Sequence, residues 1–348
     1  MLRTLTRSLS PHKLILTPHK QTPLLSNKSL FSTSISRNMA AAQKSRSVVK
    51  KVYAVETPEG EGALVRRSIG SMSLRNLSPF LMLDHFHISK GGFPDHPHRG
   101  QATVTYMLQG TSNHEDSAGH AGTLRQGGVQ WMTAGRGIMH AEMPVLKKGE
   151  PEPDGLQLWI DLPKQYKMME PNYQELDPES IPTAYPEGKD GPTQIKVISG
   201  KSYGVESPVK PYGGCWYFHV IMSQKGSSIF QDIPAGWTAF IYLFKGAVTV
   251  GDETTPNEKY HTLVLDSGKD GETGVSITSA EDGTEFVIVR ISSLFLFVQV
   301  LIALCQVAGE PLDQPVVQYG PFANLATDQM GLNGFEGARE WKSKIGGR

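Results

Sequence analysis

Short apolar runs, separated by glycine, proline, asparagine and aspartate, dominate the chain from Val52 onward. Each run is about four to eight residues long and rich in β-branched and aromatic side chains, which is typical of β-strands. The clearest runs cover residues 103–108, 156–160, 217–222, 239–244 and 285–289. Because the turns between runs are closely spaced, the pattern predicts an all-β chain of barrels or sandwiches. One short helix is expected near the C-terminus, around residues 335–344.

Two of these runs resemble each other and indicate an internal duplication. Residues 103–110 read TVTYMLQG and residues 239–246 read AFIYLFKG, so both are strand-like and both end in glycine. In this register His96 and His98 fall opposite Asp232 and the proline two residues after it. We therefore expect two similar β-barrels, with a pair of histidines in the first one only.

The predicted domain organisation follows from this duplication and from composition. A leader covers residues 1–45 and is either a transit peptide or disordered. The first barrel covers residues 50–170 and carries the histidines, and the proline-rich stretch 170–193 connects it to the second. The second barrel covers residues 194–348, has no metal site and is interrupted by an apolar insert at residues 290–307.

The N-terminal segment has the composition of a targeting sequence. It is basic, rich in serine and threonine and free of acidic residues, and it lacks the continuous apolar core of a secretory signal. These features are typical of chloroplast or mitochondrial transit peptides. Two alternatives are a disordered tail and a start at Met39, which would give a cytosolic or nuclear form.

The formal net charge of zero over 348 residues conceals an asymmetry. No Asp or Glu precedes Glu56, whereas ten of the 34 basic residues lie in residues 1–51, which leaves 24 basic against 34 acidic residues in the rest. An acidic body binds nucleic acid poorly, so no direct nucleic-acid binding is expected. The two cysteines, Cys215 and Cys305, are too few for a disulfide framework, which favours a reducing compartment.

An uncharged stretch of 19 residues, Ile291–Gly309, does not fit the strand pattern. Its length is borderline for a transmembrane helix. Because the stretch lies inside the second copy, a span would place parts of one barrel on opposite sides of a bilayer. We therefore expect no membrane span.

Histidines are concentrated in the first barrel, where seven of the eleven lie between residues 85 and 140. His96 and His98 are two residues apart in the sequence FPDHPHRG, and side chains with this spacing on a strand share one face. His140 and Glu142 form a second pair with the same spacing. If the two strands face each other inside a barrel, three imidazoles and one carboxylate converge on one point.

Three nitrogen donors and one oxygen donor leave about two of six coordination positions open, which suits Fe(II), with Mn, Co or Ni as substitutes. No cysteine lies near these residues, which argues against a structural zinc site. A lone His-x-His pair is more often a surface pair or part of a hydrogen-bond network than a pair of ligands. The other histidines of this region, expected to be structural or to support the ligands, are His85, His87, His114 and His120.

Six segments carry long and specific motifs: RRSIG at 66–70, PFLMLD at 79–84, GFPDHPHRG at 92–100, QWMTAGRGIMHAEMP at 130–144, GLQLW at 155–159 and WKSKI at 341–345. Over about residues 52–345 the chain resembles the pirin family. This resemblance implies a bicupin, with two antiparallel β-barrels of the jelly-roll type and one non-haem Fe(II) in the N-terminal barrel. The family's metal ligands fall on His96, His98, His140 and Glu142.

The resemblance implies two roles. The first, which we expect here, is that of a redox-responsive regulator in the nucleus or cytoplasm, acting on transcription factors or signalling proteins through protein contacts. The alternative is quercetin 2,3-dioxygenase activity, in which O₂ opens a flavonol with loss of carbon monoxide and Glu142 acts as base toward the 3-hydroxyl. A third reading is a structural bicupin with an incidental metal. The leader suits a plant member of the family and an organellar full-length form.

Three departures from the family pattern bear on these expectations. Gln101 and Ala102 stand where the family usually has Phe-Glu, so a carboxylate close to the metal site in sequence is lost. Residues 290–307 interrupt a strand, and their uncharged composition is what a translated retained intron would give, since a true insertion is more often polar and lies at a loop tip. The stretch 323–332 is shorter than usual, so the C-terminal helix region is expected to be truncated.

Overall fold

Strands form where the apolar runs predict them, and they build two antiparallel β-barrels. The structure is a computed structural model that describes residues 43–59, 61–292, 317–319, 322–324 and 341–345. Within these residues the helical turns are two short 3-10 helices, Lys164–Tyr166 and Pro178–Ser180. The prediction of an all-β bicupin is confirmed.

Eleven strands lie in the first half of the chain. They are β1 (Val48–Tyr53), β2 (Glu56–Glu59), β3 (Glu61–Arg67), β4 (Phe80–His98), β5 (Gln101–Gln109), β6 (Thr111–Asp116), β7 (Ala121–Arg125), β8 (Val129–Thr133), β9 (Ile138–Pro144), β10 (Asp154–Asp161) and β11 (Asn172–Leu176).

The described strands of the second half are shorter on average. They are β12 (Thr183–Ala184), β13 (Thr193–Ser199), β14 (Lys201–Ser202), β15 (Val205–Glu206), β16 (Cys215–Met222), β17 (Ser228–Asp232), β18 (Thr238–Lys245), β19 (Ala247–Val250), β20 (Asn257–Glu258), β21 (His261–Leu265), β22 (Gly274–Ser279), β23 (Thr284–Ile291), β24 (Val317–Tyr319) and β25 (Phe322–Asn324).

Both barrels share one strand order. In the first barrel β5 lies between β8 and β10, and β10 is followed by β4 and then β3. In the second barrel β18 lies between β21 and β23, and β23 is followed by β16 and then β13. Strands β9, β6 and β7 extend from the end of β4, and β22, β19 and β20 extend from β17 in the same way. The 19-residue β4 therefore does in the first barrel what β16 and β17 do together in the second.

The predicted internal duplication is visible at one turn in each barrel. The similar runs 103–110 and 239–246 form the equivalent strands β5 and β18, and Gly110 and Gly246 follow them with φ of +71° each. A Cβ atom at Gly110 would lie 2.8 Å from the backbone of Pro153, and one at Gly246 would lie 2.4 Å from a threonine hydroxyl. Both the left-handed conformation and the close approach require glycine at these turns.

An apolar layer joins the two barrels. Alternate residues of a strand point to opposite faces, and one face of β10 and one face of β23 meet at the boundary, where Leu158 and Val289 belong to a single buried cluster. The other face of β23 carries Phe286 and Ile288, which fill the interior of the second barrel. The complementary face of β10 therefore lines the interior of the first barrel.

Two regions depart from the expected organisation or lie outside the described residues. β1 pairs with β21 of the second barrel, so residues 50–53 belong to that sheet by pairing, although the first barrel was expected to begin at residue 50. Most of the expected C-terminal helix lies outside the described residues, and its described part, residues 341–344, is not helical. Most of the apolar insert, from residue 293, also lies outside them. In the part of the chain that the structure describes, no helix is long and apolar enough to cross a membrane.

Candidate metal centre

Three histidines of the first barrel converge between β4 and β9. These strands are antiparallel, and His96 stands directly opposite His140, with His98 two residues further along β4. One ring nitrogen from each of the three lies within 4.8 Å of the others. His98 and His140 are each 1% exposed, whereas His96 is partly exposed at the open side of the group. The two short pairs singled out in the sequence are thus brought together by one strand pairing.

The hydrogen bonds of these rings leave nitrogen atoms available for a cation. Nδ1 of His96 lies 2.7 Å from the carbonyl oxygen of Pro94, so it donates its proton there and Nε2 keeps a free lone pair. Among the described residues, neither ring nitrogen of His140 has a hydrogen-bond partner, although both are buried. Buried polar atoms are seldom left unpaired, and a metal ion would satisfy one of them.

Burial also sets the charge of the cluster. Burial, reinforced by the neighbouring His96, lowers the pKa of His98 well below 6.5, and the same causes lower the pKa of His140. Both imidazoles are therefore neutral at neutral pH. Neutral imidazole is the form that binds a metal ion.

Glu142, the carboxylate of the expected ligand set, lies two residues beyond His140 on β9 and is held by two donors. Thr105 Oγ1 donates to one carboxylate oxygen at 2.9 Å, and Gln157 Nε2 donates to the other at 3.1 Å. These donors come from β5 and β10, which are neighbours in the sheet. The carboxylate is thus oriented by the protein, and each oxygen has a lone pair left for a cation or a proton.

A cavity of about 240 Å³ opens beside the cluster. It is bordered by His96, His98 and Glu142 on the polar side, and its apolar lining consists of Val65, Met82, Phe86, Phe93 and Trp159. The Trp159 ring lies 5.0 Å from the His98 ring, nearly perpendicular to it. Flat apolar walls around a few convergent polar groups are typical of small-molecule sites.

An ion pair forms one wall of this cavity. Arg67 donates from Nε and Nη2 to the two carboxylate oxygens of Asp84, at 2.8 and 2.7 Å. Burial raises the pKa of Asp84 in spite of the hydrogen bonds from Arg67, which act in the opposite direction. This two-point pair gives the cavity a fixed hydrogen-bonding wall opposite its aromatic side.

The four remaining histidines of the region lie in other hydrogen-bond networks. His85 contacts Tyr242 and Asp154, and His87 contacts Glu152. His114 and His120 form ion-pair contacts with Glu175 and Asp116 respectively. In the second barrel Asp232, the counterpart of His96, is exposed at the end of β17.

The departure at Gln101 and Ala102 has a different meaning from the one expected. Ala102 belongs to the apolar layer between the barrels, so a carboxylate at this position would sit on the face of β5 away from the histidines. Gln101 is the residue that faces them: its Nε2 lies 2.8 Å from Nδ1 of His98. The loss of a carboxylate at Ala102 therefore does not remove a group from the cluster.

Sequence reasoning missed several residues of this site. Thr105 and Gln157 hold Glu142, and Arg67 with Asp84 forms the polar wall, yet none was assigned a role. The available signal was alternation: residues 101, 103 and 105 share one face of β5, and residues 157 and 159 share one face of β10. Which face is interior becomes clear only when the neighbouring strands are known.

Comparisons with known proteins agree with the fold and the site. The Pirin family model matches residues 62–160. A pirin-like protein of Solanum lycopersicum is 44% identical over 311 residues, which cover 86% of this chain and 97% of that protein.

Two solved structures are also similar. A quercetin 2,3-dioxygenase from Acinetobacter baumannii is 26% identical with a TM-score of 0.69, covering 82% of this chain and 94% of that one. The bacterial pirin YhhW from Escherichia coli in complex with nickel(II) is 20% identical with a TM-score of 0.54, covering 70% and 98%, a likeness of fold. Identity at this level over nearly the whole of the tomato protein shows that the chain belongs to the pirin family.

Proposed function

We propose that the first barrel holds one non-haem Fe(II) on His96, His98, His140 and Glu142, with Mn, Co or Ni as substitutes. The observation that carries this proposal is the pair of unpartnered ring nitrogens on buried His140, next to two other imidazoles. Nitrogen and carboxylate donors with open positions suit such a metal. Bound there, the metal supplies a Lewis acid and a redox centre with room for further ligands.

The function that the geometry favours is dioxygenation of a flavonol. The apolar cavity beside the cluster is the supporting observation, because a regulator that acts only through its surface needs no such space. Phe86, Phe93 and Trp159 would contact the flat rings of a flavonol and exclude water. The 26% identical Acinetobacter protein that is named a quercetin 2,3-dioxygenase supports the same reading.

Glu142 has a defined part in this proposal. Its carboxylate, held by Thr105 and Gln157, would accept the proton of the flavonol 3-hydroxyl. Gln157 and Thr105 keep the carboxylate oriented during this transfer. The flavonolate then reacts with O₂, and its heterocycle opens with loss of carbon monoxide.

Anaerobic reconstitution with Fe(II), followed by quercetin and air, tests the activity. We expect loss of the flavonol absorbance together with stoichiometric carbon monoxide, and both should be lost in Glu142→Ala. A matched control is Glu258→Ala, which changes an exposed glutamate of the second barrel. Iron-loaded protein that leaves quercetin intact and releases no carbon monoxide would refute the dioxygenase.

A second candidate, redox-responsive regulation through protein contacts, is favoured by one observation. The backbone N–H of Ser343 donates to Asp95, the residue before His96, and the N–H of Ile345 donates to Glu115 at 3.3 Å. A change at the metal would thus reach a surface segment on which transcription factors or signalling proteins could act. Amide exchange at Ser343 and Ile345 should differ between Fe(II) and Fe(III) protein, and identical exchange would count against this role.

Location and the apolar insert belong to the same proposal. We expect nuclear and cytoplasmic protein from a start at Met39 and organellar protein from the full-length chain. A reporter fused to residues 1–50 should enter chloroplasts or mitochondria, and diffuse fluorescence would contradict this. Sequencing the transcript between the codons for Val289 and Ala308 tests whether residues 290–307 are a retained intron. A structural bicupin with an incidental metal is left if neither turnover nor a redox response is found.

A further inference from the structure

The second barrel has a cation at the place where the first barrel has a wall of its metal cavity. Strand β23 occupies the position of β10, and Arg290 on β23 stands opposite Trp216 on β16. In the first barrel Trp159 on β10 stands opposite Met82 on β4. Both Trp159 and Met82 line the cavity beside the histidines. Arg290 and Trp216 are therefore the counterparts of two residues that border the metal site.

The side chain of Arg290 is buried without the partners that a guanidinium requires. It is 1% exposed, and among the described residues its Nε and Nη1 have no hydrogen-bond acceptor. Its central carbon lies 3.9 Å from the ring centre of Trp216 and 5.5 Å from that of Trp237. Cation–π contact stabilises the charge from its flat faces, but it leaves the N–H groups at the edge unsatisfied.

A second buried arginine nearby shows how this barrel satisfies a guanidinium that is purely structural. Arg46 donates from Nη1 to the carbonyl oxygens of Trp237 and Asp266, and from Nη2 to that of Pro234. Arg290 has no comparable set of carbonyl acceptors among the described residues. The contrast indicates that Arg290 is built to meet an acceptor that the chain itself does not provide.

The charges around Arg290 leave it cationic. Burial lowers the pKa of its guanidinium to about 9, Asp232 acts in the opposite direction, and Arg46 lowers it slightly further. At neutral pH the side chain therefore keeps its positive charge. Asp232 lies on the exposed end of β17, where its carboxylate remains hydrated. The buried charge is thus only weakly compensated by the protein.

We propose that the second barrel binds a small organic carboxylate on Arg290. A carboxylate is planar and accepts from the edge of a guanidinium, which is where the unpartnered N–H groups of Arg290 lie. The rings of Trp216 and Trp237, 5.6 Å apart and nearly perpendicular, supply apolar surfaces for the body of the ligand. The duplicated barrel thus keeps a ligand site at the same place and holds the ligand by a guanidinium in place of a metal. This site does not depend on the function proposed for the first barrel.

Titration of the full-length protein with sodium benzoate, followed by tryptophan fluorescence and thermal unfolding at constant ionic strength, tests the proposal. We expect saturable binding and a raised Tm, with affinity at least tenfold weaker in Arg290→Gln. Arg66→Gln, which removes a surface arginine paired with Glu56, is the matched control and should bind benzoate like the parent. His140→Ala should also bind normally, which separates this site from the metal centre.

Two further arms keep the test decisive. Asp232→Asn removes a competing negative charge at an exposed position and should tighten benzoate binding about twofold or more. Sodium phosphate and sodium chloride should compete weakly. No saturable binding of benzoate, equal binding in Arg290→Gln, weaker binding in Asp232→Asn, or preference for phosphate would each overturn the assignment.

Discussion

The hydroxyl of Tyr106 lies 2.9 Å from Nδ1 of His219, across the boundary between the two barrels. Its counterpart in the duplicated sequence, Tyr242, makes the reverse contact, with its hydroxyl 3.1 Å from Nδ1 of His85. Each barrel thus offers one tyrosine to a histidine of the other. The boundary is therefore held by two equivalent polar contacts within its apolar layer.

A carboxylate completes each contact. Nε2 of His219 donates to Glu285 at 3.2 Å, and Nε2 of His85 donates to Asp154 at 2.9 Å. With Nε2–H directed to a carboxylate, Nδ1 is the acceptor of the tyrosine hydroxyl. The duplication has therefore preserved a tyrosine–histidine–carboxylate chain at both sides of the boundary.

Removing one hydroxyl should weaken the boundary measurably. Tyr106→Phe leaves the buried Nδ1 of His219 without its donor, so the free energy of unfolding should fall by about 1–2 kcal/mol. Urea unfolding at pH 7 measures this, with Tyr53→Phe as control because Tyr53 is about half exposed. Equal stability of Tyr106→Phe and the parent would show that this hydrogen bond contributes nothing.

The carboxylate of the same chain predicts a pH dependence. Hydrogen bonds from His219 and Lys245 lower the pKa of Glu285 to about 2, against 4.5 for the group without these partners. Because the folded-state pKa is the lower one, the stabilisation is complete above about pH 4.5 and is lost as the pH falls toward 2.

The variant Glu285→Gln tests this dependence. At pH 7 it should be less stable than the parent by about 1–2 kcal/mol, since hydrogen bonds to a charged group are lost. The difference should shrink when urea unfolding is repeated at pH 4 and pH 3. A difference that stays constant or grows on acidification would contradict the assigned pKa.

Gln101 should position His98 for metal binding. Its Nε2 lies beside Nδ1 of His98 while its Oε1 has no partner among the described residues. Turning the amide by 180° would let Oε1 accept the Nδ1 proton and leave Nε2 of His98 free for the metal. Gln101→Leu should therefore weaken Co(II) binding by about tenfold, measured by visible absorption. Gln194→Leu, an exposed glutamine on β13, is the control. Equal affinity in the two variants would exclude a positioning role.

Much of the fold follows from local patterns. The apolar runs of the sequence mark the central strands of both sheets, and the similarity of 103–110 to 239–246 identifies the duplication. Pairing across the two barrels could not be read in this way. The β1 strand alternates like any edge strand, and only its contact with β21 shows that it belongs to the second barrel.

The candidate site shows the same limit. The spacing of His96 with His98, and of His140 with Glu142, identifies residues that share a face, because period two is a local property. Thr105 and Gln157 are 52 residues apart, and they meet at Glu142 only because β5 and β10 are adjacent in the sheet. Arg290 gave no signal at all, since its significance lies in its equivalence to Trp159.

Metal content of single variants tests the central claim most directly. After Fe(II) loading and gel filtration under nitrogen, the parent should retain about one iron per chain. His140→Ala and Glu142→Ala should each lose most of it, whereas His120→Ala, which changes a histidine paired with Asp116, should retain it. Retention of iron by His140→Ala and Glu142→Ala at the level of the parent would contradict the assignment of the metal centre.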